Sequence, residues 1–240
     1  MKAILALEDG TQFVGQSIGA AGTCIGEVVF DTGMTGYLEV LTDPSFAGYL
    51  ITMTYPLIGN YGVNTEDQES SKPYAKGFIV RELCDEPSNF RSQETLNSFL
   101  IRKNIIGIQG IDTRALTRIL RNKGTMNGVI STDPDFIQED WIEKIHNYKI
   151  SNPVEQVTSK EVQHIEGTGR RVAILDYGAK TSIIHCLKKR NCDLFIFPAS
   201  SEANDILSVE PDGIMLSNGP GDPKDCAFQI DVLKKLIGKK

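Results

Sequence analysis

From Arg171 onward three short apolar runs, Arg171 to Asp176, Asp193 to Phe197 and Gly213 to Leu216, alternate with stretches whose apolar residues recur at helical spacing. Runs that are apolar at nearly every position describe strands covered on both faces. Parallel neighbours need a crossover connection, and a helix is the usual one, so the alternation predicts an α/β domain with a parallel, doubly wound sheet. Ile183, Ile184 and Leu187 mark the first helix and Ala203 to Leu207 a short second one. Cys226, Ile230, Leu233 and Ile237 mark a third, which Asp225 is placed to cap and Gly238 to end, with Cys226 on its packed stripe.

The last of the three strands stops in Ser217-Asn218-Gly219-Pro220-Gly221-Asp222-Pro223. Glycine lets a backbone approach a ligand without a Cβ in the way, and proline fixes φ, so the N–H groups of such a loop point in set directions. Two readings stand side by side: a tight turn that only connects strand to helix, or a cradle for an anion or a developing oxyanion. Composition alone favours the connecting turn, because a glycine-rich loop is a weak signal.

The first 150 residues have another pattern, with many short strands and few helices. Lys2 to Leu7 and Gln12 to Ser17 form a hairpin around Asp9-Gly10, and Glu27 to Asp31 is the next strand. Asp43 is placed to cap a short helical turn with Pro44 at its first position. Leu50 to Thr54 and Lys76 to Cys84 read as strands, separated by a long loop, Tyr55 to Ser71, that exceeds what connection needs. Leu96, Phe99, Leu100 and Lys103 give an amphipathic helix, and Ile105 to Ile108 a strand. Asp112 caps a helix that buries Leu116, Ile119 and Leu120, with Arg114, Arg118 and Arg121 outside as a solvated face. Met126 to Ser131 returns as a strand, and Pro134 starts a helix burying Phe136, Trp141 and Ile145. Periodicity then disappears between Tyr148 and Arg170. The division is a β-rich first domain over 1–150, a linker over 151–170 and an α/β domain over 171–240.

A net charge of −6 argues against a nucleic-acid binder, whose footprint is basic. No apolar run reaches membrane-spanning length, and the N-terminus meets Glu8-Asp9 too soon for a signal peptide. Five scattered cysteines, with no CxxC pair, fit a reducing cytoplasm and no metal site.

Four long stretches of the first domain, LEDGTQF (Leu7 to Phe13), GEVVFDTGMTGYLEVLTDPSFAGY (Gly26 to Tyr49), TMTYPLIGNYGVN (Thr52 to Asn64) and GIDTRALTRILR (Gly110 to Arg121), join ILDYGAK (Ile174 to Lys180) and LSNGPGDP of the second. Together these resemble the small chain of carbamoyl phosphate synthase along the whole sequence. The resemblance implies a β-rich N-terminal domain of that type, followed by the first βα units of a flavodoxin-like class I glutamine amidotransferase domain. It also implies a subunit that releases ammonia from glutamine. A large ATP- and Mg-dependent subunit then makes carbamoyl phosphate from bicarbonate, for arginine and pyrimidine biosynthesis. The small chain itself needs no cofactor, and its partners are glutamine and the large subunit. Carried over by motif, the Gly219 backbone N–H stabilises the oxyanion, Gly221 lines the glutamine pocket, and Ser45 reaches from the first domain to hydrogen-bond glutamine. On local grounds alone Ser45 is simply a residue at a helix start.

The family's nucleophile sits on a Gly-x-Cys-x-Gly turn one βα unit beyond the SNGPGDP loop, with a His-Glu pair further on. The 240 residues end before that point, so the expectation is an incomplete amidotransferase domain without its catalytic cysteine, inactive by itself, with an unpaired strand edge near Gly213 to Lys240. Gly22-Thr23-Cys24-Ile25-Gly26 and His164-Ile165-Glu166 match the letters of both motifs, yet Cys24 follows a loop and precedes a strand, the reverse of a nucleophile turn. The alternatives are a non-catalytic module that docks on the large subunit, or another class I amidotransferase.

Overall fold

The structure, a computed structural model, describes residues 1–239. It separates into two compact units: Met1–Thr42 with Gly48–Ile150, and Asp43–Ala47 with Ser151–Lys240.

The first unit runs β1 (Lys2–Leu7), β2 (Gln12–Gly19), β3 (Thr23–Asp31), α1 (Tyr37–Thr42), β4 (Tyr49–Met53), β5 (Leu57–Ile58), β6 (Gly77–Ile79) and β7 (Glu82–Leu83). It continues through α2 (Leu96–Arg102), β8 (Ile106–Gln109), α3 (Thr113–Lys123), β9 (Met126–Ser131) and α4 (Glu139–His146). Seven strands close a barrel in the order β1-β2-β8-β6-β4-β3-β9. The pairs β3/β4, β4/β6 and β6/β8 are parallel, so four adjacent strands end on one rim, while the remaining pairs are antiparallel. Closure leaves no free strand edge in this sheet. Leu5, Leu7, Val28, Leu50, Ile79 and Ile108 fill its core, and α3 adds Leu116 and Leu120. That packing, with the Asp112 carboxylate accepting from the Ala115 N–H at 2.9 Å, explains why α3 starts and sits where it does.

Three boundaries differ from the sequence reading. Lys76 to Cys84 is not one strand. β6 pairs with β4 and β8, whereas β7 pairs with β5 in a separate two-stranded sheet, so the partner changes within one apolar run. α4 begins at Glu139 rather than Pro134, and Phe136 reaches Trp141 from the preceding turn at 6.2 Å between ring centres. β3 begins at Thr23, so Cys24 lies inside the strand instead of before it.

The second unit comprises α5 (Pro153–Val157), β10 (Gln163–Ile165), β11 (Arg171–Asp176), α6 (Thr181–Lys188), β12 (Asp193–Pro198), α7 (Ala203–Ser208), β13 (Gly213–Leu216) and α8 (Ala227–Leu236). Its sheet has the order β10-β12-β11-β13, with β11 parallel to both β12 and β13 and β10 antiparallel to β12. Alternate residues of β11 go to opposite faces. Ala173 and Leu175 pack with Ile206 of α7 and with Val232 and Leu236 of α8, whereas Ile174 packs with Ile184 and Leu187 of α6. This is the doubly wound α/β arrangement, and it is why these strands are apolar at nearly every position.

Residues 151–170 are not a bare linker, for they carry α5 and β10. The His164 ring stacks on Phe195 at 4.1 Å and donates to Asp193 at 2.7 Å. The third helix is also corrected. Asp222, not Asp225, accepts from the Lys224 N–H and caps a 3-10 turn over Pro223–Asp225, and α8 starts only at Ala227. α8 buries Val232 and Leu236, leaving Ile230 and Ile237 exposed and Cys226 half-buried, because the face toward α7 and the sheet is set by packing rather than by the apolar count.

Candidate functional site

Within the second unit the carboxyl ends of β11 and β13 meet the segment Asp43–Ala47. Asp176, the last residue of β11, is buried but fully engaged: its carboxylate accepts from the N–H groups of Gly178, Ala179 and Ser159 at 2.7–2.9 Å. Three donors replace the water it loses, which is what a buried charge requires. The chain leaving β11 is thereby held in one path. The Ser217 hydroxyl then accepts from the Tyr177 N–H at 2.9 Å and donates to the Asn218 carbonyl at 2.7 Å, tying the start of the glycine loop to that path.

Gly219 lies against Tyr177 so closely that a Cβ there would be 2.4 Å from the Tyr177 carbonyl oxygen. Gly221 has φ of +85°, a left-handed conformation that glycine adopts without strain. Among the described residues no acceptor takes the N–H of either glycine. Both line a mainly apolar cavity of about 250 Å³, together with Tyr177, Cys226 and Leu233. Burial pushes the Tyr177 phenol up to about 12, so it stays a neutral donor, and its buried oxygen has no partner among the described residues.

Ser45 stands at this loop. The Asp43 carboxylate caps its 3-10 turn, accepting from the Ser45 N–H at 2.8 Å. The Asn218 side-chain amide donates to the Ser45 hydroxyl oxygen at 2.6 Å and to the Asp43 carboxylate at 3.3 Å. Ser45 therefore accepts through its oxygen, and among the described residues no acceptor takes its own proton. Ser45 thus meets the glycine loop at Asn218, next to Gly219, and is not among the residues that line the cavity shared by Gly219 and Gly221. The sequence reading missed Asn218, whose side chain ties Ser45 to the loop, although it lies in the same SNGPGDP run, and it credited Asp43 only with capping.

The letter-matching cysteine motif does not form a site. Cys24 is opposite Ile130 in the β3/β9 ladder, and burial pushes its thiol up to about 12, so at neutral pH it is not a thiolate. His164 is committed to Asp193. Among the described residues no group of three or more His, Cys, Asp or Glu could hold a metal ion, and no helix is long and apolar enough to cross a membrane.

The family model for the carbamoyl-phosphate synthase small chain, CPSase domain, matches residues 5–130, and that for class-I glutamine amidotransferase matches residues 173–240. Over 240 residues, its whole length, the chain is 50% identical to the carbamoyl phosphate synthase small chain of Clostridium perfringens and covers 68% of that protein. The chain belongs to the carbamoyl phosphate synthase small chain family. Similarity extends to the small chain of Listeria innocua, at 49% identity over 99% of this chain and 66% of the relative. It extends also to the pyrimidine-specific small chain of Bacillus subtilis, at 47% over 100% of this chain and 66% of the relative. The chain thus spans about two thirds of the length of these relatives. The carbamoyl phosphate synthase small-chain match covers the barrel, and the amidotransferase match runs from β11 through the glycine loop to α8.

Proposed function

We propose that this chain holds glutamine for a glutamine-hydrolysing carbamoyl phosphate synthase, at the corner formed by Ser45 and the Ser217–Pro223 loop. The observation that carries the reading is the Asn218 amide on the Ser45 hydroxyl beside two unengaged glycine N–H groups. In this reading Ser45 donates its free proton to the bound glutamine, and Asn218 is a positioning residue that fixes the hydroxyl. Gly221 lines the pocket. The Gly219 N–H faces the oxygen on which charge collects when a thiolate attacks the side-chain amide carbon, and such a donor typically supplies about 2.7–4 kcal/mol of transition-state stabilisation. The buried, unpartnered oxygens of Tyr177 and Asn218 support a polar occupant, since buried polar atoms normally have partners.

The ammonia released passes, in this reading, to a large subunit that holds the ATP and Mg, in the cytoplasm, where five free cysteines stay reduced. No cofactor is assigned to the small chain. Among the described residues none of its five cysteines bonds a histidine: Cys24 and Cys226 have thiols raised by burial, Cys192 is buried, the Cys84 thiol is turned to the Glu86 carbonyl, and Cys186 lies exposed on α6. These 240 residues are therefore expected to bind glutamine without releasing ammonia.

Calorimetric titration with glutamine tests the reading. Ser45→Ala and Asn218→Ala should each weaken binding about three- to tenfold, the worth of one hydrogen bond of about 0.5–1.5 kcal/mol. Asn218→Asp should do more damage, because it sets a second carboxylate against Asp43. Glutamine affinity indifferent to all three would sink the assignment, and ammonia release abolished by Cys24→Ser would refute the inactivity.

A further inference from the structure

The first unit carries a concave site of its own, a cavity of about 520 Å³ whose lining includes Arg81, Arg114, Arg118, Arg121, Thr32 and Thr54. Its place in the fold is specific. β3, β4, β6 and β8 are mutually parallel, and the lining comes from just beyond their carboxyl ends: Thr32 follows β3, Thr54 follows β4, Arg81 lies after β6, and α3 follows β8. Carboxyl ends of parallel strands are where α/β folds place ligands.

The arginines converge for a packing reason. Leu116 and Leu120 commit one side of α3 to the core, and positions 114, 118 and 121, four and seven residues apart, return to the opposite side. These cations also lack counter-ions. The chain has 31 acidic against 25 basic residues, and Arg91, Arg102 and Arg171 each hold a carboxylate. None of the four cavity arginines makes an ion pair among the described residues. Glu82 and Asp112 border a neighbouring recess with Arg81, but Asp112 is occupied in capping α3.

We propose that this cavity binds a small molecule carrying two or more phosphoryl groups. A guanidinium offers a planar fork of donors that matches a phosphoryl group in bidentate fashion. The three arginines of α3 span seven residues, about 10 Å at 1.5 Å per residue, more than one phosphate can meet. Thr32 and Thr54 add hydroxyl donors, whereas Thr117 spends its proton on the Thr113 carbonyl at 2.7 Å. The cavity volume falls within the range of about 300–1,000 Å³ common to small-molecule sites. The site lies wholly in the first unit and stands independently of the glutamine reading.

Titration of the full chain with inorganic pyrophosphate and with orthophosphate, at equal ionic strength, tests this. Pyrophosphate should bind saturably, one per chain, at least tenfold tighter than orthophosphate. The double variant Arg114→Gln/Arg118→Gln should lose most of that affinity, and Arg121→Gln part of it. All the replaced side chains are exposed, so thermal melts should match the parent and show that the variants are folded. The proposal is overturned by absent or non-saturable pyrophosphate binding, by equal affinity for the two anions, or by binding that survives the double substitution. A glutamate-rich peptide that binds tighter than pyrophosphate also overturns it, assigning the surface to an acidic protein partner.

Discussion

Gly219 and Gly213 lie six residues apart yet face different constraints. A Cβ at Gly219 would meet the Tyr177 backbone oxygen at 2.4 Å, whereas one at Gly213 meets nothing within 4 Å. Gly219→Ala must push backbone away from backbone and is expected to cost about 1–3 kcal/mol, as overpacking does. Gly213→Ala should stay within about 0.5 kcal/mol of the parent. Urea denaturation of both variants checks this, and equal stabilities would show that the loop relaxes freely. The same contrast marks what was legible at this scale. The need for glycine in the loop was readable from its spelling, but the reason for it at 219 is Tyr177, on another strand end. The helix-start role of Ser45 follows from Asp43-Pro44, whereas its place at the loop depends on Asn218, 173 residues away, and no local pattern reports such a partner.

Among the elements, β10 was invisible to periodicity. Three residues with only Ile165 half-buried carry no alternation to detect, and what holds them is pairing with β12 and one side-chain cluster. The Asp193 carboxylate accepts from His164 at 2.7 Å and from Arg171 at 2.9 Å, and these bonds, His164 first, hold it below the usual carboxylate range. A carboxyl lowered by folding contributes stability that is complete above its unfolded pKa, about 4, and is lost as the pH falls through the lower folded value. Asp193→Asn is therefore expected to flatten the acid limb of the stability curve below about pH 4 while leaving its slope above about pH 5 unchanged. Superimposable curves for variant and parent would show that this cluster anchors nothing. α8 teaches a related lesson: apolar residues occur on more than one of its sides, so the stripe drawn through Cys226, Ile230, Leu233 and Ile237 was only one of the faces available. Contact with α7 and the sheet selected Val232 and Leu236 instead.

For the molecule as a whole, the two units manage their strand edges differently. The barrel has none, whereas among the described residues β13 pairs only with β11 and leaves its other side open, with Leu216, the α8 residues Phe228 and Ile230, and Ile237 just after α8 exposed nearby in sequence. An open edge beside apolar surface invites pairing between copies. Sedimentation should show association that grows with concentration and weakens in Phe228→Glu, and a chain that stays monomeric throughout would contradict this. Periodicity, capping and turn chemistry depend on residues close together in the chain. The sequence by itself therefore determined most strands of both units, the capped helix α3, the alternating βα order and the glycine loop. Barrel closure, the face that α8 buries, Asn218 against Ser45 and Arg81 beside the arginines of α3 arise from residues far apart in sequence. Only the tertiary structure decided them, because packing and pairing between distant segments select one partner from many that local spacing leaves equivalent.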